Sequence, residues 1–302
     1  MRSRSTVISI AAFAAAIAAV APLPASAAAD DCPNGGVVRF GVEPYEAAPK
    51  LVPIYDHIGQ LLAKKLGCDV KMQITTNYNA EIEAMRNGKL ELGEFGPLGY
   101  VLAHQVAKAE AVATFGAKDG KAETYTASIV SWPGSPVTSM KDLPGHSFAF
   151  SDPASTSGHL YPAFAMRKNN IDPDKDVKGF YAGSHGASFE ALRNHKVEAG
   201  ELNSQEIEAA KIAGSYKETD YITLWKSDPI PIDPITVRGD LPAGFKARVT
   251  TILQTLDLSE LSPNDLKIIG SSGARFVPAK DSDYNIVRDL VDTLHIDLAK
   301  LD

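Results

Sequence analysis

The sequence predicts an α/β protein with two lobes, in which each lobe is a mostly parallel β-sheet flanked by helices. Three observations lead to this fold class: strand and helix patterns alternate over residues 37–115, the alternation repeats over residues 125–225, and the remainder is mainly helical. Regular alternation of this kind is typical of parallel sheets with crossover helices. With 302 residues, of which 44% are hydrophobic, the chain has enough apolar material for two moderate cores.

The first α/β unit begins with a short apolar run that is followed by a long amphipathic helix. Apolar residues recur at helical spacing from Leu51 to Leu66, and Gly67 follows where glycine commonly ends a helix. The whole unit is predicted as strand Val37–Val42, helix Leu51–Leu66, strand Val70–Ile74, helix Asn79–Asn87, strand Leu90–Phe95, helix Pro97–Lys108 and strand Ala111–Phe115.

The second unit repeats this alternation, and helices dominate the last third of the chain. The second unit is predicted as strand Tyr125–Trp132, strand Ser147–Phe150, a helix from near Gly158, strand Val177–Tyr181, helix Ser184–Arg193, strand Ala199–Asn203, helix Gln205–Ala213 and strand Tyr221–Trp225. The last third is predicted as a short segment Ile235–Arg238 followed by helices Ala243–Leu256, Pro263–Ile269 and Tyr284–Leu294.

The order of these elements indicates that one lobe is inserted into the other. Residues 30–127 and 235–302 are expected to form the first lobe, and residues 128–234 the second. The chain then crosses between the lobes twice, at hinges near Tyr125–Ser128 and Asp233–Thr236. Because ligands of open α/β sheets bind at the carboxyl ends of the strands, the cleft between the lobes is the expected binding site.

Residues 1–29 have the three parts of a secretory signal peptide. Two arginines precede an apolar stretch over Val7–Val20, and small residues favour cleavage near Ala27–Ala29. An N-terminal membrane anchor is the alternative, but the apolar stretch is short and is followed by helix-breaking prolines. We therefore expect a freely diffusing periplasmic protein.

The charge of the chain restricts its partners. Without residues 1–29, 28 basic residues stand against 37 acidic residues, which gives a net charge of −9. A chain this acidic is not expected to bind nucleic acid or an anionic membrane surface. If its ligand is an anion, local dipoles must hold it, because long-range attraction is absent.

The two cysteines, Cys32 and Cys68, each lie just before a predicted strand. Because exported proteins enter an oxidising compartment, we expect one disulfide between them, with two unpaired thiols as the alternative. Two sulfurs without histidines at ligand spacing do not indicate a metal site, and no cofactor is expected.

The most informative segment is a run of hydroxyl residues, Ser155, Thr156 and Ser157, which follows a predicted strand and opens a helix. The backbone N–H groups in the first turn of a helix have no partner within it, and the N-terminus carries about half a positive charge. Together with the hydroxyls, these donors suit a tetrahedral oxyanion without any Lys or Arg. An ordinary Ser or Thr helix cap is the alternative.

Four further residues have side chains that suit such a ligand. His185 lies in a strand-to-helix turn and can donate to an oxyanion, and the hydroxyls of Tyr78 and Tyr125 can do the same while their rings exclude water. Asp233 would select among ligands, since its carboxylate accepts from a protonated P–OH or pairs with an amine but repels a fully deprotonated anion. The alternatives are a structural histidine, core tyrosines and a turn aspartate before proline.

In combination, these segments resemble the phosphonate-binding components of ABC uptake systems, a branch of the type II periplasmic binding proteins. The resemblance runs from about Val37 to Leu294. It is carried by Asn77–Met85, Gly88–Leu90, Phe95–Pro97, Ser151–Gly158, Ala182–His185, Leu202–Ser204 and Leu224–Pro231.

The resemblance implies a set of ligand contacts that coincides with the residues singled out above. By this resemblance, the phosphonyl oxygens of the ligand are held by Ser155, Thr156 and Ser157. Tyr125 and His185 add further hydrogen-bond donors, and Tyr78 and Asp233 line the rest of the pocket. The resemblance also implies the two-lobed fold of type II periplasmic binding proteins.

Family members that take an aminoalkylphosphonate place two carboxylates around its ammonium group. Asp233 matches one of them, whereas the other falls at Gln205, an amide. Glu206 is adjacent, but a helix turns about 100° per residue, so we expect it to point elsewhere; Glu201 or Glu206 supplies the missing charge only if the local alignment shifts. Phosphite and alkylphosphonates are therefore favoured over aminoalkylphosphonates.

The implied function is that of a receptor without enzymatic activity. As a monomer, the protein would close on a small phosphorus oxyanion and deliver it to the permease of an ABC transporter. The same fold with phosphate, sulfate or an organic acid as ligand is one alternative. A Ser/His hydrolase is another, but the chain contains neither Gly-x-Ser-x-Gly nor Ser-x-x-Lys.

Overall fold

A computed structural model describes residues 32–294 of the chain. The expected signal peptide, with its cleavage near Ala27–Ala29, lies outside the described residues, as do residues 295–302. No helix within the described part is both long enough and apolar enough to cross a membrane.

Short strands alternate with helices through most of the described chain, as the sequence predicts. The strands are β1 Val37–Val42, β2 Asp69–Ile74, β3 Leu92–Glu94, β4 Glu110–Phe115, β5 Thr124–Tyr125, β6 Ser128–Ser131, β7 Ser147–Phe150, β8 Lys178–Tyr181, β9 Ala199–Glu201, β10 Ile222–Lys226, β11 Ile230–Pro231, β12 Pro234–Val237 and β13 Phe276–Pro278.

The helices mostly connect successive strands of one sheet. A π-helical turn, Thr156–Leu160, leads directly into the fifth of them. The helices are the single turn α1 Pro33–Gly36, α2 Ala48–Leu66, α3 Tyr78–Arg86, α4 Pro97–Ala107, α5 Tyr161–Lys168, α6 His185–Arg193, α7 Ser204–Ile212, α8 Ala243–Gln254, α9 Pro263–Ile268 and α10 Asn285–Leu294.

The two main sheets share one topology. The first has the order β13-β4-β12-β3-β1-β2, and the second has the order β10-β6-β9-β7-β8. In the first sheet, β1 pairs in parallel with both β2 and β3. In the second sheet, β7 pairs in parallel with both β8 and β9. In the first sheet, the antiparallel strand β12 lies between β3 and β4. In the second sheet, the antiparallel strand β6 lies in the same way between β9 and β10. The predicted α/β class is confirmed, with two mixed sheets that each combine parallel and antiparallel pairings.

The chain passes from one sheet to the other twice. The first sheet takes its strands from residues 37–115 and 234–278, and the second from residues 128–226. The two crossing segments lie side by side, because Ile230 pairs with Tyr125 in the small β5–β11 ribbon. The lobe boundaries at residues 127/128 and 234/235 stay a prediction, which this division of the strands supports.

Two predicted elements are wrong. Tyr125–Trp132 is not one strand, because the chain leaves the ribbon after β5 and enters the second sheet at β6. The region after Ile235–Arg238 is not purely helical, since Phe276–Pro278 forms β13 at the edge of the first sheet. That strand has only three residues and ends in proline, so its sequence pattern is weak.

Each sheet buries its own apolar side chains. Alternate residues of a strand face opposite sides of a sheet, and the second sheet has a separate core on each face. Ile129 of β6 packs into the core that contains Phe148, whereas its neighbour Val130 packs into the core that contains Phe189.

A disulfide joins Cys32 to Cys68, as predicted. It connects the segment before β1 to the start of β2, where Val37 pairs with Asp69. The bond therefore lies at the amino ends of these strands, whereas the cleft lies beyond their carboxyl ends.

Candidate ligand-binding site

A cavity of about 460 Å³, its mouth included, lies between the two lobes. All eight residues that the sequence suggests as ligand contacts line it, namely Tyr78, Tyr125, Ser155, Thr156, Ser157, His185, Gln205 and Asp233. The other lining residues are Glu43, Tyr45, Glu46, Gly96, Asn203, Glu206, Ala209 and Ile268. Neither Lys nor Arg is among the residues that line this cavity. That any of the lining residues contacts a bound ligand stays a prediction.

Five helices direct their N-termini at the cavity. Tyr78 begins α3, Gly96 precedes α4, Thr156 begins the turn that leads into α5, His185 begins α6, and Gln205 lies in the first turn of α7. Each helix N-terminus carries about half a positive charge and unpaired N–H donors. The cavity therefore attracts an anion without a cationic side chain of Lys or Arg.

Local sequence explains where three of these helices begin. Asn77, Ser184 and Asn203 each accept a hydrogen bond from the backbone N–H three residues later, at 2.7, 3.1 and 2.7 Å. Such a cap satisfies one orphan donor, and other donors of these first turns are held by protein carbonyls, as His185 N is by Tyr45 and Ser204 N by Thr126. The same small polar residues thus fix the helix start and its direction toward the cavity.

The three neighbouring hydroxyls are arranged as donors. Each hydroxyl oxygen already accepts a hydrogen bond from a protein N–H group: Ser155 from Gly158 N at 3.1 Å, Thr156 from Leu98 N at 2.8 Å, and Ser157 from Asn203 Nδ2 at 3.2 Å. A hydroxyl has one proton to donate in addition to its acceptor sites. These N–H contacts do not use the protons of the hydroxyls, so each hydroxyl can still donate, Ser155 either to a ligand oxygen or to the adjacent His185 Nε2.

His185 lies between Ser155 and Glu201. Its Nε2 is 3.2 Å from Ser155 Oγ, and its Nδ1 is 3.0 Å from each carboxylate oxygen of Glu201. Burial is the strongest single influence and lowers the pKa of His185, but Glu201, Asp233 and Glu46 together raise it above the ordinary value. Sequence reasoning treated Glu201 only as a substitute carboxylate for an ammonium group, whereas the structure places it against this imidazole.

Both tyrosines are buried in the cavity wall. Tyr78 and Tyr125 are 2% and 5% exposed, and burial raises the pKa of each phenol well above its ordinary range. The hydroxyl of Tyr125 lies beside those of Thr156 and Ser157. Both phenols therefore keep their protons and can act as donors.

Asp233 lies next to a group of buried carboxyls. Burial raises the pKa of Asp233 to about 7, although its hydrogen bond with Glu94 and the charge of His185 act in the opposite direction. Burial likewise raises the pKa of Glu43, Glu81 and Glu94 well above the ordinary range. The acid forms of Glu43, Glu81 and Glu94 are thus favoured, and a neutral acid does not repel an anion. Within residues 32–294, no three His, Cys, Asp or Glu side chains are arranged to hold a metal ion.

Glu206 lines the cavity together with Gln205, so the expectation that it points elsewhere is wrong. The 100° turn per residue separates side chains around a helix. Gln205, Glu206 and Ala209 of α7 all line the cavity, and their i, i+1, i+4 spacing places them on one broad face of the helix. Burial and the nearby Glu46 carboxylate raise the pKa of Glu206 to about 9.

The lobes contact each other around the cavity. The backbone N–H of His185 donates to the Tyr45 carbonyl at 3.1 Å, and Leu98 donates to Thr156 as described. Glu46 packs so closely on Gly186 that a methyl group there would lie 2.4 Å from its Oε1. The structure therefore has the two lobes closed on each other.

Comparisons with known proteins agree with this geometry. A family model described as "ABC transporter, phosphonate, periplasmic substrate-binding protein" matches residues 40–284. The phosphonates-binding periplasmic protein of Escherichia coli is 29% identical over 217 residues, which cover 70% of this chain and 64% of that protein. The phosphate-import protein PhnD of Mycolicibacterium smegmatis is 25% identical, with 93% and 95% of the two chains covered.

A solved structure has the same fold. PhnD1 from Prochlorococcus marinus, in complex with methylphosphonate, superposes with a TM-score of 0.74 at 22% identity and covers 86% of this chain and 98% of that one. A structural match at 22% sequence identity shows that the fold is the same. Membership of the family is shown by the family model, which matches most of the chain. The protein belongs to the family of periplasmic phosphonate-binding proteins of ABC transporters, whose members bind substrates for transport and are not enzymes.

Proposed function

We propose that this protein captures phosphite or a small alkylphosphonate between its lobes and delivers it to the permease of an ABC importer. The observation that carries the proposal is the row of three hydroxyls at Ser155, Thr156 and Ser157, whose oxygens already accept from protein N–H groups. Three convergent O–H donors at a helix start match the three oxygens of a phosphonyl group. Membership of the family and the methylphosphonate bound to the Prochlorococcus marinus relative support the ligand class.

The acidity of the wall favours a ligand that shares a proton. Burial raises the pKa of Asp233 to about 7 and that of Glu43 well above its ordinary range, so the Asp233 carboxyl changes charge near neutral pH beside the proposed ligand. A phosphorus monoanion carries a P–OH that can donate to such a carboxylate. Sulfate has no proton at neutral pH, so it has no donor to offer the charged form of Asp233, which is populated near and above pH 7.

An aminoalkylphosphonate is a second candidate, and one observation favours it. Although Gln205 occupies the position of the missing carboxylate, Glu206 and Glu46 also line the cavity and lie close to each other. An ammonium group placed between them would stabilise their charged forms. Phosphate and organic acids remain outcomes that the same experiment detects.

Titration calorimetry with a panel of ligands tests the proposal. The panel is phosphite, methylphosphonate, 2-aminoethylphosphonate, phosphate, sulfate and, as an organic acid, acetate, each at pH 6 and pH 8. We expect phosphite or methylphosphonate to bind at least about a hundredfold more tightly than sulfate, since one like-charge contact accounts for that ratio. Preference for sulfate or for an organic acid over every phosphorus ligand would contradict the proposal.

A substitution in the hydroxyl row tests the site itself. Ser157→Ala removes one donor, and we expect it to weaken binding about tenfold or more. Ser188→Ala is the matched control, because Ser188 is equally buried but its hydroxyl donates to the Ala149 carbonyl outside the cavity. Equal affinities for the two variants would place the ligand elsewhere.

We further propose that residues 1–29 are removed on export and that the mature protein is a monomer in the periplasm. The family supports the periplasmic location. Mass spectrometry of the secreted protein should give a mature N-terminus at Ala28, Ala29 or Asp30, and light scattering should give the mass of one chain. An intact N-terminus in the membrane fraction would instead indicate an anchor.

A further inference from the structure

We propose that Glu201 is a positioning residue of this site: by way of His185, it sets the direction in which the hydroxyl of Ser155 points its proton. Glu201 does not line the cavity, and its effect on the ligand passes through two other side chains. The inference rests on the proposed function, which it deepens by assigning the state of the imidazole in the binding wall.

The geometry begins with a fully enclosed carboxylate. Glu201 ends strand β9 and is 1% exposed, and both of its oxygens are 3.0 Å from Nδ1 of His185. The imidazole is the partner that the structure shows for this carboxylate. An Nδ1–H directed at a carboxylate is the arrangement that fixes both tautomer and orientation of a histidine. Nδ1 therefore carries a proton.

The charged groups that face His185 are all acidic. Glu201 lies on β9, Glu46 in the loop before α2, Asp152 in the loop after β7, and Asp233 just before β12. Burial lowers the pKa of His185, but these carboxylates, Glu201 foremost, raise it overall. The doubly protonated imidazolium is therefore stabilised relative to that of a free histidine, and Nε2 keeps its proton to a higher pH.

The state of Nε2 decides the state of Ser155. When Nε2 is protonated, it donates to Ser155 Oγ at 3.2 Å, and Gly158 N donates to the same oxygen at 3.1 Å. Both acceptor positions of the hydroxyl are then occupied, so its proton points into the cavity. When Nε2 is unprotonated, it accepts the Ser155 proton instead, and a lone pair faces the anion. Loss of the proton on Nε2 thus converts an attractive contact into a repulsive one.

Glu201→Gln tests this chain of contacts, since the amide keeps the shape and removes the charge. Without the carboxylate, burial dominates and the pKa of His185 falls. We expect the variant to bind methylphosphonate like the wild type at pH 5.5 and about tenfold or more weakly at pH 7.5, because one lost charge-assisted hydrogen bond has that effect. In the wild type, the corresponding loss should come at a higher pH than in the variant, because Glu201 raises the pKa of His185. A loss that is the same at every pH would indicate a merely structural role, and an unchanged profile would also overturn the inference.

Glu198→Gln is the matched control. Glu198 forms a similar pair with His146, at 3.4 Å, but both residues lie outside the cavity. We expect this variant to keep the wild-type pH profile of binding. A shift as large as that of Glu201→Gln would show that any lost carboxylate produces it.

Nitrogen-15 NMR of the His185 ring in ligand-free protein separates this inference from the proposed function. We expect both ring nitrogens to carry protons in the wild type at pH 7 and only one in Glu201→Gln. A neutral His185 in the wild type at pH 7 would overturn the inference even if methylphosphonate binds. Failure of the wild type to bind any phosphorus ligand would contradict the proposed function, while the NMR result still decides the state of the imidazole.

Discussion

The hydroxyl of Thr156 caps helix α4 from the opposite lobe: its Oγ1 accepts a hydrogen bond from the backbone N–H of Leu98 at 2.8 Å. Helix α4 follows Gly96, which has no side chain with which to cap it. The second lobe thus completes the helix end of the first. Since Thr156 also lines the cavity, one hydroxyl connects closure of the lobes with contact to the ligand.

Thr156→Val should weaken ligand binding more than it weakens the fold. Valine has the same shape but neither accepts from Leu98 nor donates to a ligand, and a buried donor without a partner costs about 1–3 kcal/mol. We expect calorimetry with methylphosphonate or phosphite to show a loss of about ten- to a hundredfold, and Thr156→Ser to retain most of the affinity.

The control for this prediction is Thr236→Val. Thr236 is fully buried and donates to the Gly93 carbonyl at 3.0 Å, outside the cavity. This variant should lower the free energy of unfolding and leave the affinity within about twofold, since its hydrogen bond is unrelated to closure. Comparable losses of affinity in the two variants would contradict the prediction that the Thr156 hydroxyl connects closure of the lobes with ligand binding.

Asp233→Asn should remove a pH dependence of binding. The pKa of Asp233 is raised to about 7 by burial, so the carboxyl is neutral in acid and charged above that value. As the pH rises through about 7, wild-type affinity for a phosphorus oxyanion should fall by up to about tenfold per pH unit relative to the variant. The ligand ionises equally in both experiments, so the ratio of the two dissociation constants between pH 5.5 and 8.5 isolates Asp233. A constant ratio would exclude Asp233 as a selector.

Glu81→Gln should stabilise the protein, increasingly so at higher pH. The buried carboxyl of Glu81 has no well-formed hydrogen bond among the described residues, apart from a weak contact with the Glu94 backbone, and burial raises its pKa well above the ordinary value. The folded state therefore binds a proton that the unfolded state releases above about pH 4.3. Stability from this group is complete below that pH and falls as the pH rises, with a slope of up to about 1.4 kcal/mol per unit.

Urea denaturation between pH 4 and pH 8 checks this difference. Glu83→Gln, on the same helix, is the contrasting variant: the carboxylate of Glu83 is exposed and its hydrogen bond with Arg86 lowers its pKa. Its removal should destabilise the protein by less than about 1 kcal/mol, with the opposite dependence on pH. A stability gap between Glu81→Gln and wild type that does not grow with pH would contradict the prediction.

Replacement of Cys32 and Cys68 by serine should lower stability without affecting binding. The disulfide closes a loop with a sequence separation of 36, and the loss of such a constraint costs about 4 kcal/mol in the chain-entropy model. Because the bond lies at the amino ends of β1 and β2, ligand affinity should change by less than about twofold. Urea denaturation and calorimetry measure the two effects, and reduced wild-type protein should match the variant in stability. A large loss of affinity would mean that the strand ends transmit strain to the cleft.

Sequence predicted the helix starts around the cavity because their determinants are local. Asn77, Ser184 and Asn203 cap their own helices, so the chemistry of a single turn identifies the position. The hydroxyl row was recognised for the same reason. The disulfide followed from the number of cysteines and the expected compartment, which need no three-dimensional information.

Other site residues depend on contacts that the sequence does not display. Glu43 and Glu46 follow β1 without a hydroxyl or glycine pattern, and only their place after the first strand could have pointed to them. The contact between Glu201 and His185 joins a strand end to a helix start, so it requires the sheet order. The orientation of Glu206 was mistaken because the face of α7 that lines the cavity is broad enough to include two successive residues, Gln205 and Glu206.

The central place of β12 in the first sheet has a consequence for the order of folding. This strand lies between β3 and β4, yet it follows all strands of the second sheet along the chain. Residues 128–226 can pair all strands of their sheet among themselves, whereas β3 and β4 have no partner between them until residues 234–237 arrive. We expect the inserted lobe to acquire its hydrogen-exchange protection first, with the surrounding lobe as the slow phase, because its pairings span the greater sequence distance.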